Sequence, residues 1–401
     1  MPGTTMTTIQ DVLKNFYIGP IRENLNQATV LLAQLKKSSK EVVGEQVILP
    51  LHIGRNWGVG ARGTSGTGVL PTAYGQQYKK AVFTTKDEYG RILIYGKTIR
   101  ATKTDKGAFL RVVTSETKGM VNDLGNYLNR QLYGSGNGVL ATLGTGATYT
   151  AGSSIPVDNV QYLEEGAVLD LYTGGSATNS GVIIATIVDD THITLTTTVT
   201  TTTGDFARIA GVGATDELNG LDLITSATGT LETISPTATS LWKGNESGSD
   251  SAPAVLKEFD MQNAVDNAEE KGGKIKLIVT SYQGRAKYAA ILQDQKRFTS
   301  PQTGKLKGGF SYIDFNDIPL VVDRHCQRVK GSVTRMYFLS LESLGIYRMA
   351  DFEWAQEDGA ILARQVGANA TESYEGTLVC DMEFATDARR HNSVLKGISL
   401  A

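Results

Sequence analysis

A chain of 401 residues has enough interior for two or three compact units, each with its own core. Its 39 Lys and Arg nearly balance 41 Asp and Glu, a net charge of -2, which argues against tight sequence-specific nucleic-acid binding through a basic stripe. The two cysteines, Cys326 and Cys380, exclude a disulfide framework and fit folding in a reducing compartment. The opening Met1-Pro-Gly-Thr-Thr-Met lacks the basic-then-apolar order of a signal peptide, and no run of eighteen apolar residues occurs. The expectation is a protein made and kept in soluble form, with no membrane partner.

In chain order, Ile21, Leu25, Ala28, Leu32 and Leu35 fall at helical spacing behind Pro20, which predicts a short amphipathic helix from about Pro20 to Lys37. A strand over Gln46–Ile53 follows. Glycines at 54, 58, 60, 63, 66 and 68 then mark a stretch without core character. Two strand-like runs, Tyr78–Lys86 and Arg91–Arg100, flank Asp87-Glu-Tyr-Gly90 and predict a long hairpin within Ile53–Thr102. A lone two-stranded ribbon is marginal in water, so this one needs a neighbouring molecule to lie on. Phe109, Val113, Thr117, Met120, Leu124 and Leu128 mark a helix from about Asp105 to Tyr133, roughly 40 Å long at 1.5 Å per residue. Gly134-Ser-Gly-Asn-Gly138 ends it.

Between about Gly146 and Val212 the composition turns to Thr, Val, Ile and Gly. Strands are predicted at Ala167–Tyr172, Gly181–Val188 and His192–Val199, with Asp189-Asp190 as a hairpin turn. The Thr run from Thr196 to Thr203, broken only by Val199, reads as β-branched strand, and the whole as a small all-β insert. From Leu221 the pattern mixes helix and strand. Helices are predicted at Ala254–Glu270 and Gln283–Leu292. Strands are predicted at Ile275–Val279, Ile318–Asp323, Met336–Ser340, Ile346–Trp354, Tyr374–Ala385 and Ser393–Ile398.

No constellation for chemistry emerges, and no catalytic, cofactor-binding or metal-binding residue is expected. Gly58-Val-Gly-Ala-Arg-Gly63 matches the dinucleotide fingerprint by letter, but Thr, Ser and more Gly follow it where a helix must begin. It reads as loop. His325-Cys326 offers a base and a nucleophile, yet neighbours on a strand point to opposite faces and no orienting carboxylate is placed by sequence. His52, His192, His325 and His391 share no ligand spacing. The acidic pairs Asp189-Asp190, Asp216-Glu217 and Glu357-Asp358 read as solvated turn carboxylates. Arg389-Arg390-His391 with Lys396 is a small basic cluster, open to DNA, to a neighbour's carboxylates, or to a plain role as an exposed strand end. Trp57, Trp242 and Trp354 read as packing anchors.

A series of segments in the second half carries a resemblance. In order they include Gly220-Leu-Asp-Leu-Ile, Gly229-Thr-Leu-Glu-Thr-Ile-Ser, Leu241-Trp-Lys-Gly, Leu277-Ile-Val-Thr-Ser, Lys287-Tyr-Ala-Ala-Ile-Leu, Lys307-Gly-Gly-Phe and Ile318-Pro-Leu-Val-Val-Asp-Arg. Met336-Tyr-Phe-Leu, Trp354-Ala-Gln-Glu-Asp-Gly, Tyr374-Glu-Gly-Thr-Leu-Val and Arg389-Arg-His-Asn-Ser-Val-Leu-Lys-Gly-Ile continue it. Their order and spacing resemble the major capsid proteins of tailed bacteriophages, of the Hong Kong 97 type.

The resemblance implies an α+β fold with a small all-β inserted domain. Residues 1–45 would be an N-terminal arm and helix, 46–104 an extended loop hairpin, and 105–145 a peripheral domain with a long spine helix. Residues 146–214 would be the insert, 215–344 an axial domain with adjoining peripheral segments, and 345–401 return strands of the peripheral domain. The implied function is structural and not enzymatic: subunits join into hexamers and pentamers of an icosahedral head around double-stranded DNA. Partners implied are further copies of itself, a separate scaffolding protein, a portal, a decoration protein and packaged DNA contacted non-specifically. The implied location is the virion capsid, assembled in the bacterial host cytoplasm. The alternatives are an encapsulin-like compartment shell, an α/β enzyme, and a secreted adhesion module suggested by the Thr-rich insert.

Overall fold

The computed structural model describes residues 29–61, 69–101, 106–295, 303–305, 311–326, 328–329, 333–355, 362–364 and 372–400. Alternation governs its first long strand, Gln46–Gly54, where Val47, Leu49 and Leu51 are buried. It pairs antiparallel with Gln77–Thr84, which sets Val47 opposite Phe83 and Leu49 opposite Ala81 on the same buried face. The ribbon is therefore built from these two strands, and not from the two runs around Gly90. Lys86–Tyr95 continues through Gly90 without turning and pairs antiparallel with Ser373–Met382, from Tyr95 opposite Ser373 to Lys86 opposite Met382. The reason lies in packing: a Cβ on Gly90 would stand 2.7 Å from the Met120 sulfur. Gly90 is where a helix closes on a strand, a use of glycine that differs from a turn.

That helix, Lys106–Gln131, is the longest among the described residues. Leu124 and Leu128 are buried along it, Leu132 is buried just past its end, and Met120 packs at the margin. Phe109 and Val113 lie outside the described side chains. The first helix covers Val30–Gln34, with Val30, Leu31 and Leu32 buried. It stops short of Lys37 because Lys36–Ser38 becomes a strand parallel to Gly345–Tyr347; the expected part before residue 29 lies outside the described residues. Ribbon base, both helices, Trp242, Leu277, Tyr337 and the strands Leu344–Trp354 and Ser373–Thr386 share one core.

A sheet of eight strands forms the second body of structure. Its path runs Asn245–Ser247, Ser393–Ser399, Val333–Leu339, Leu277–Thr280, Ile318–Val322, Ser311–Phe315, Thr303–Lys305, with Arg328–Val329 beside Val333–Leu339. Leu277–Thr280 is buried throughout, as a central strand requires. Helices Glu258–Glu269 and Tyr282–Gln295 pack on it through Met261, Ala264, Val265 and Tyr288. The last strand departs from expectation: Ser393–Ser399 does not stay with the return strands but crosses into this sheet, antiparallel to Val333–Leu339.

The insert is a six-stranded sheet ordered Ala141–Thr142, Phe206–Ile209, Val168–Thr173, Ser176–Asp189, His192–Leu195, Ser154–Pro156, with a separate pair Thr148–Tyr149 and Val199–Thr200. It has its own core, with Leu169, Leu171, Ile184 and Leu195 at its centre. Leu140, Ala141 and Leu143 belong to that core, so the unit begins at about Leu140 and not at Gly146. The strand expected through Val199 ends at Leu195 and resumes at Val199. The two ends of the insert meet: a Cβ on Gly138 would lie 3.3 Å from the Gly213 carbonyl.

Candidate assembly surface

The ribbon exposes several large apolar side chains. Between Leu51 and Ala81 no described residue is buried. Trp57, Val59, Val69, Leu70, Tyr74 and Tyr78 stand open, Trp57 at 75 % of its surface. Trp57 is thus no packing anchor within its own subunit. Local contacts hold the ribbon in shape: His52 Nε2 and Gln76 Oε1 are 2.8 Å apart, the Asn56 amide donates to the same oxygen, and the His52 and Tyr78 rings lie 5.1 Å apart. Gly58 sits where the two arms pass closely, since a Cβ there would come within 3.1 Å of the Thr72 carbonyl. Its amide donates to Asn56 Oδ1; the end of the fingerprint and the residues directly after it lie outside the described residues. Residues 46–84 contain Arg55, Arg62, Lys79 and Lys80 and no Asp or Glu. Isolated apolar side chains at a surface are ordinary, but several large ones on a single ribbon with cationic neighbours mark a candidate interaction surface.

A cleft of about 720 Å³ begins just past the ribbon, at Thr85. One wall is Lys86–Tyr95, another the long helix, and the third the return of the insert. Met120 and Leu124 supply apolar floor, and Asp87, Asp123 and Asp216 stand exposed at its mouth. Glu88 is buried beneath, accepting from Gln131 Nε2 at 2.7 Å; burial pushes its pKa up to about 7.

The residues singled out from sequence are dispersed. Asp323 reaches His325, 3.4 Å from its Nδ1, while Asn129 Nδ2 lies 2.9 Å from the same nitrogen. Burial works to raise the Asp323 pKa, but hydrogen bonds from His325 and Asn129 outweigh it and hold the carboxyl below its ordinary value. A carboxylate the sequence did not place is therefore present. Cys326 is fully buried and its Sγ lies 3.5 Å from the Arg335 carbonyl. The Leu31 amide and Asn129 bind Asp323, and Gln161 and Tyr162 of the insert donate to the carbonyls of Arg324, His325 and Cys326. First helix, long helix, insert and eight-stranded sheet meet at this one loop.

His52 lies on the ribbon, His192 pairs with Asp189 at 2.9 Å, and His391 sits beside Gly272. Among the described residues no group of three His, Cys, Asp or Glu is placed to hold a metal. Asp189-Asp190 forms the expected hairpin turn. Glu217 is corrected: it is buried, paired with Arg130 and accepting from Tyr127 at 3.0 Å. Glu357-Asp358 lies outside the described residues. The basic cluster is also corrected. Arg389 is buried and donates to the carbonyls of Leu223, Ile224, Ser226 and Gly229 at 2.7–3.0 Å, while Lys396 pairs with Glu246 at 2.8 Å. Trp242 is buried and donates to the Leu231 carbonyl, and Trp354 is half-buried against the main core.

No family model and no curated protein matches the sequence. Solved structures match in shape. The capsid asymmetric unit of cyanophage A-1(L) superposes with a TM-score of 0.59 at 15 % identity, over 98 % of this chain and 99 % of that one. The chain has the Hong Kong 97-type capsid fold. The holo-SrpI encapsulin complex of Synechococcus elongatus matches with a TM-score of 0.50 at 9 % identity, over 100 % of this chain and 98 % of that one. The capsid of Myoviridae phage XM1 gives 0.50 at 7 % identity, over 97 % and 98 %. The Hong Kong 97-type fold agrees with the α+β class expected from sequence.

Proposed function

We propose that this chain is the major capsid protein of a tailed bacteriophage, a structural subunit that assembles into hexamers and pentamers of an icosahedral head around double-stranded DNA. The observation that carries the reading is the exposed apolar ribbon on a Hong Kong 97-type fold. A two-stranded ribbon gains little from its own pairing. Seated on a neighbour, it adds a contact that repeats around a ring, and heterologous contacts of one kind tile a closed surface. Many weak contacts per subunit then act together.

In this reading residues 46–84 form the extended loop, the long helix is the spine of a peripheral domain, and the eight-stranded sheet forms the axial domain. The insert decorates the outer face. The subunit performs no catalysis; the His325-Cys326 pair is buried, and in the basic cluster Arg389 and Lys396 are engaged in internal contacts. A scaffolding protein, a portal and a decoration protein are the further partners, and the virion capsid, assembled in the host cytoplasm, is the location. Packaged DNA meets the wall non-specifically.

The second reading is an encapsulin-like shell, favoured by the likeness to the SrpI complex. Electron microscopy and nuclease treatment of particles from the native source separate the two. Shells holding nuclease-protected double-stranded DNA support the capsid; shells holding a protein cargo and no DNA support the compartment.

A further inference from the structure

We propose that Asn137-Gly138, at the root of the insert, is a self-modification site, where the Gly138 backbone nitrogen attacks the Asn137 side-chain amide and the residue becomes aspartate or isoaspartate. The dipeptide occurs twice in the chain, at Asn137-Gly138 and at Asn219-Gly220, and the fold treats the two copies differently. Asn137 is exposed, and its Oδ1 accepts from the Val139 amide at 3.1 Å. That Asx turn, with Gly138 at a φ of 71°, folds the side-chain carbonyl back over the Gly138 peptide. The Asn137 main-chain carbonyl accepts from Arg208 Nε at 2.9 Å. Arg208 is buried, its guanidinium 4.6 Å from the Tyr172 ring centre and 4.9 Å from that of Phe206. Asn219 is half-buried and tied down: its Nδ2 donates to Glu232 Oε1 at 3.0 Å and its amide to Glu383 Oε1 at 2.9 Å.

Each contact acts on a named step. Attack closes a five-membered ring within one residue pair, and a well-oriented intramolecular reaction has a high effective concentration. Arg208 donates to the carbonyl of the same peptide unit whose nitrogen gives up its proton to solvent, so a cation stabilises the charge that spreads onto that oxygen. The Gly138 amide hydrogen has no acceptor among the described residues, so its removal breaks no hydrogen bond. As the bond from the Gly138 nitrogen to Asn137 Cγ forms, charge gathers on Oδ1, where the Val139 amide already donates as in an oxyanion hole. The Cγ–Nδ2 bond then breaks, and Nδ2 leaves as ammonia with a proton from solvent. Water opens the resulting succinimide at either carbonyl; nothing is oxidised or reduced. Only glycine suits position 138, because a Cβ there would stand 3.3 Å from the Gly213 carbonyl at a backbone angle that side chains rarely adopt. At Asn219 the leaving nitrogen is held by Glu232, and no described residue donates to its Oδ1. The product sets a carboxylate, or in isoaspartate an extra backbone carbon, into the joint by which the insert is attached.

Peptide mapping by mass spectrometry, on the purified full chain held for days at pH 7 and pH 9, tests this. Cleavage after Arg130 and Arg208 puts Asn137 and Asn219 on different peptides, and fragment masses locate the change. Exchange of ammonia for water, or loss of ammonia alone in the succinimide, is expected at Asn137 roughly tenfold faster than at Asn219, and faster at pH 9 than at pH 7. In the chain unfolded in urea the two dipeptides are expected to react alike. Equal rates in the folded chain overturn the proposal, as does an Asn137 that stays intact while the unfolded chain reacts. Arg208→Met is expected to slow the change at Asn137 roughly tenfold, the share of one charge-assisted hydrogen bond, and Arg208→Lys to restore part of the rate. A rate that is unchanged or faster in Arg208→Met, with unaltered circular dichroism, overturns the step given to Arg208.

Discussion

Glu383 carries a buried carboxyl on the return strand. Its Oε1 accepts from the Asn219 and Phe384 amides at 2.9 and 2.8 Å, while its Oε2 is buried with no partner among the described residues. Burial raises its pKa to about 8, and that of Glu88, on the strand paired with it, to about 7. A folded carboxyl with a raised pKa holds its proton where the unfolded one has lost it. Its stabilising share is complete below the unfolded value near 4.5 and drains away as pH rises to about 7 for Glu88 and 8 for Glu383, at roughly 1.4 kcal/mol per pH unit per group. Thermal unfolding from pH 5 to 9 is expected to show falling stability, and Glu383→Gln to flatten the fall and raise the melting temperature most at pH 9. Identical slopes for the two proteins would contradict protonation of Glu383. Arg389 offers a second residue-scale test. Arg389→Met removes one donor from each of four carbonyls; those of Leu223 and Ser226 keep the Ser226 and Gly244 amides, so the loss falls on Ile224 and Gly229, at about 1–3 kcal/mol for each that stays buried and unsatisfied. Urea unfolding is expected to show a loss of that order, and a change within error would mean the carbonyls find other partners. Neither residue was legible from sequence. Arg389 sits in a basic triplet that reads as surface, and only the fold brings the Leu223–Gly229 carbonyls to it.

At the scale of elements, the long helix and most strands were legible because period survives in the sequence: Leu124 and Leu128 at helical spacing, Val47, Leu49 and Leu51 at alternate positions. Partners were less legible. Lys86–Tyr95 pairs with a strand near the other end of the chain, and nothing local tells that pairing from a hairpin closed at Gly90. The insert was recognised by composition, but its edge was misplaced because Leu140 and Ala141 look like helix exit. Leu124→Asp places an unpaired charge under the helix, at a cost of several kcal/mol against a total stability of about 5–15. Insoluble or unassembled protein is expected; normal shells from it would mean the stripe faces solvent. Residues 140–212 are expected to be removable, since Gly138 and Gly213 already touch. The shortened chain, joined by a short Gly/Ser linker, should retain its helical circular dichroism and lose the three hydrogen bonds that Gln161 and Tyr162 give to residues 324–326. A wholly insoluble product would place the insert inside the main core.

At the scale of the whole molecule, the claim is that the subunit is completed by its neighbours. Its charge is nearly balanced, yet one ribbon holds Trp57, Leu70 and Tyr74 exposed among the described residues. Shortening residues 55–76 to a tight turn should leave the three cores intact, because among the described residues every buried ribbon position lies at Leu51 or before and at Ala81 or after. Circular dichroism of the wild-type form with lost light scattering is the expected outcome, and intact shells would sink the role given to the ribbon. The most direct measurement is electron microscopy of the purified full chain over a range of concentrations. Closed icosahedral shells, or rings of six and five subunits, are predicted; a folded protein that stays monomeric at every concentration would contradict the shell function.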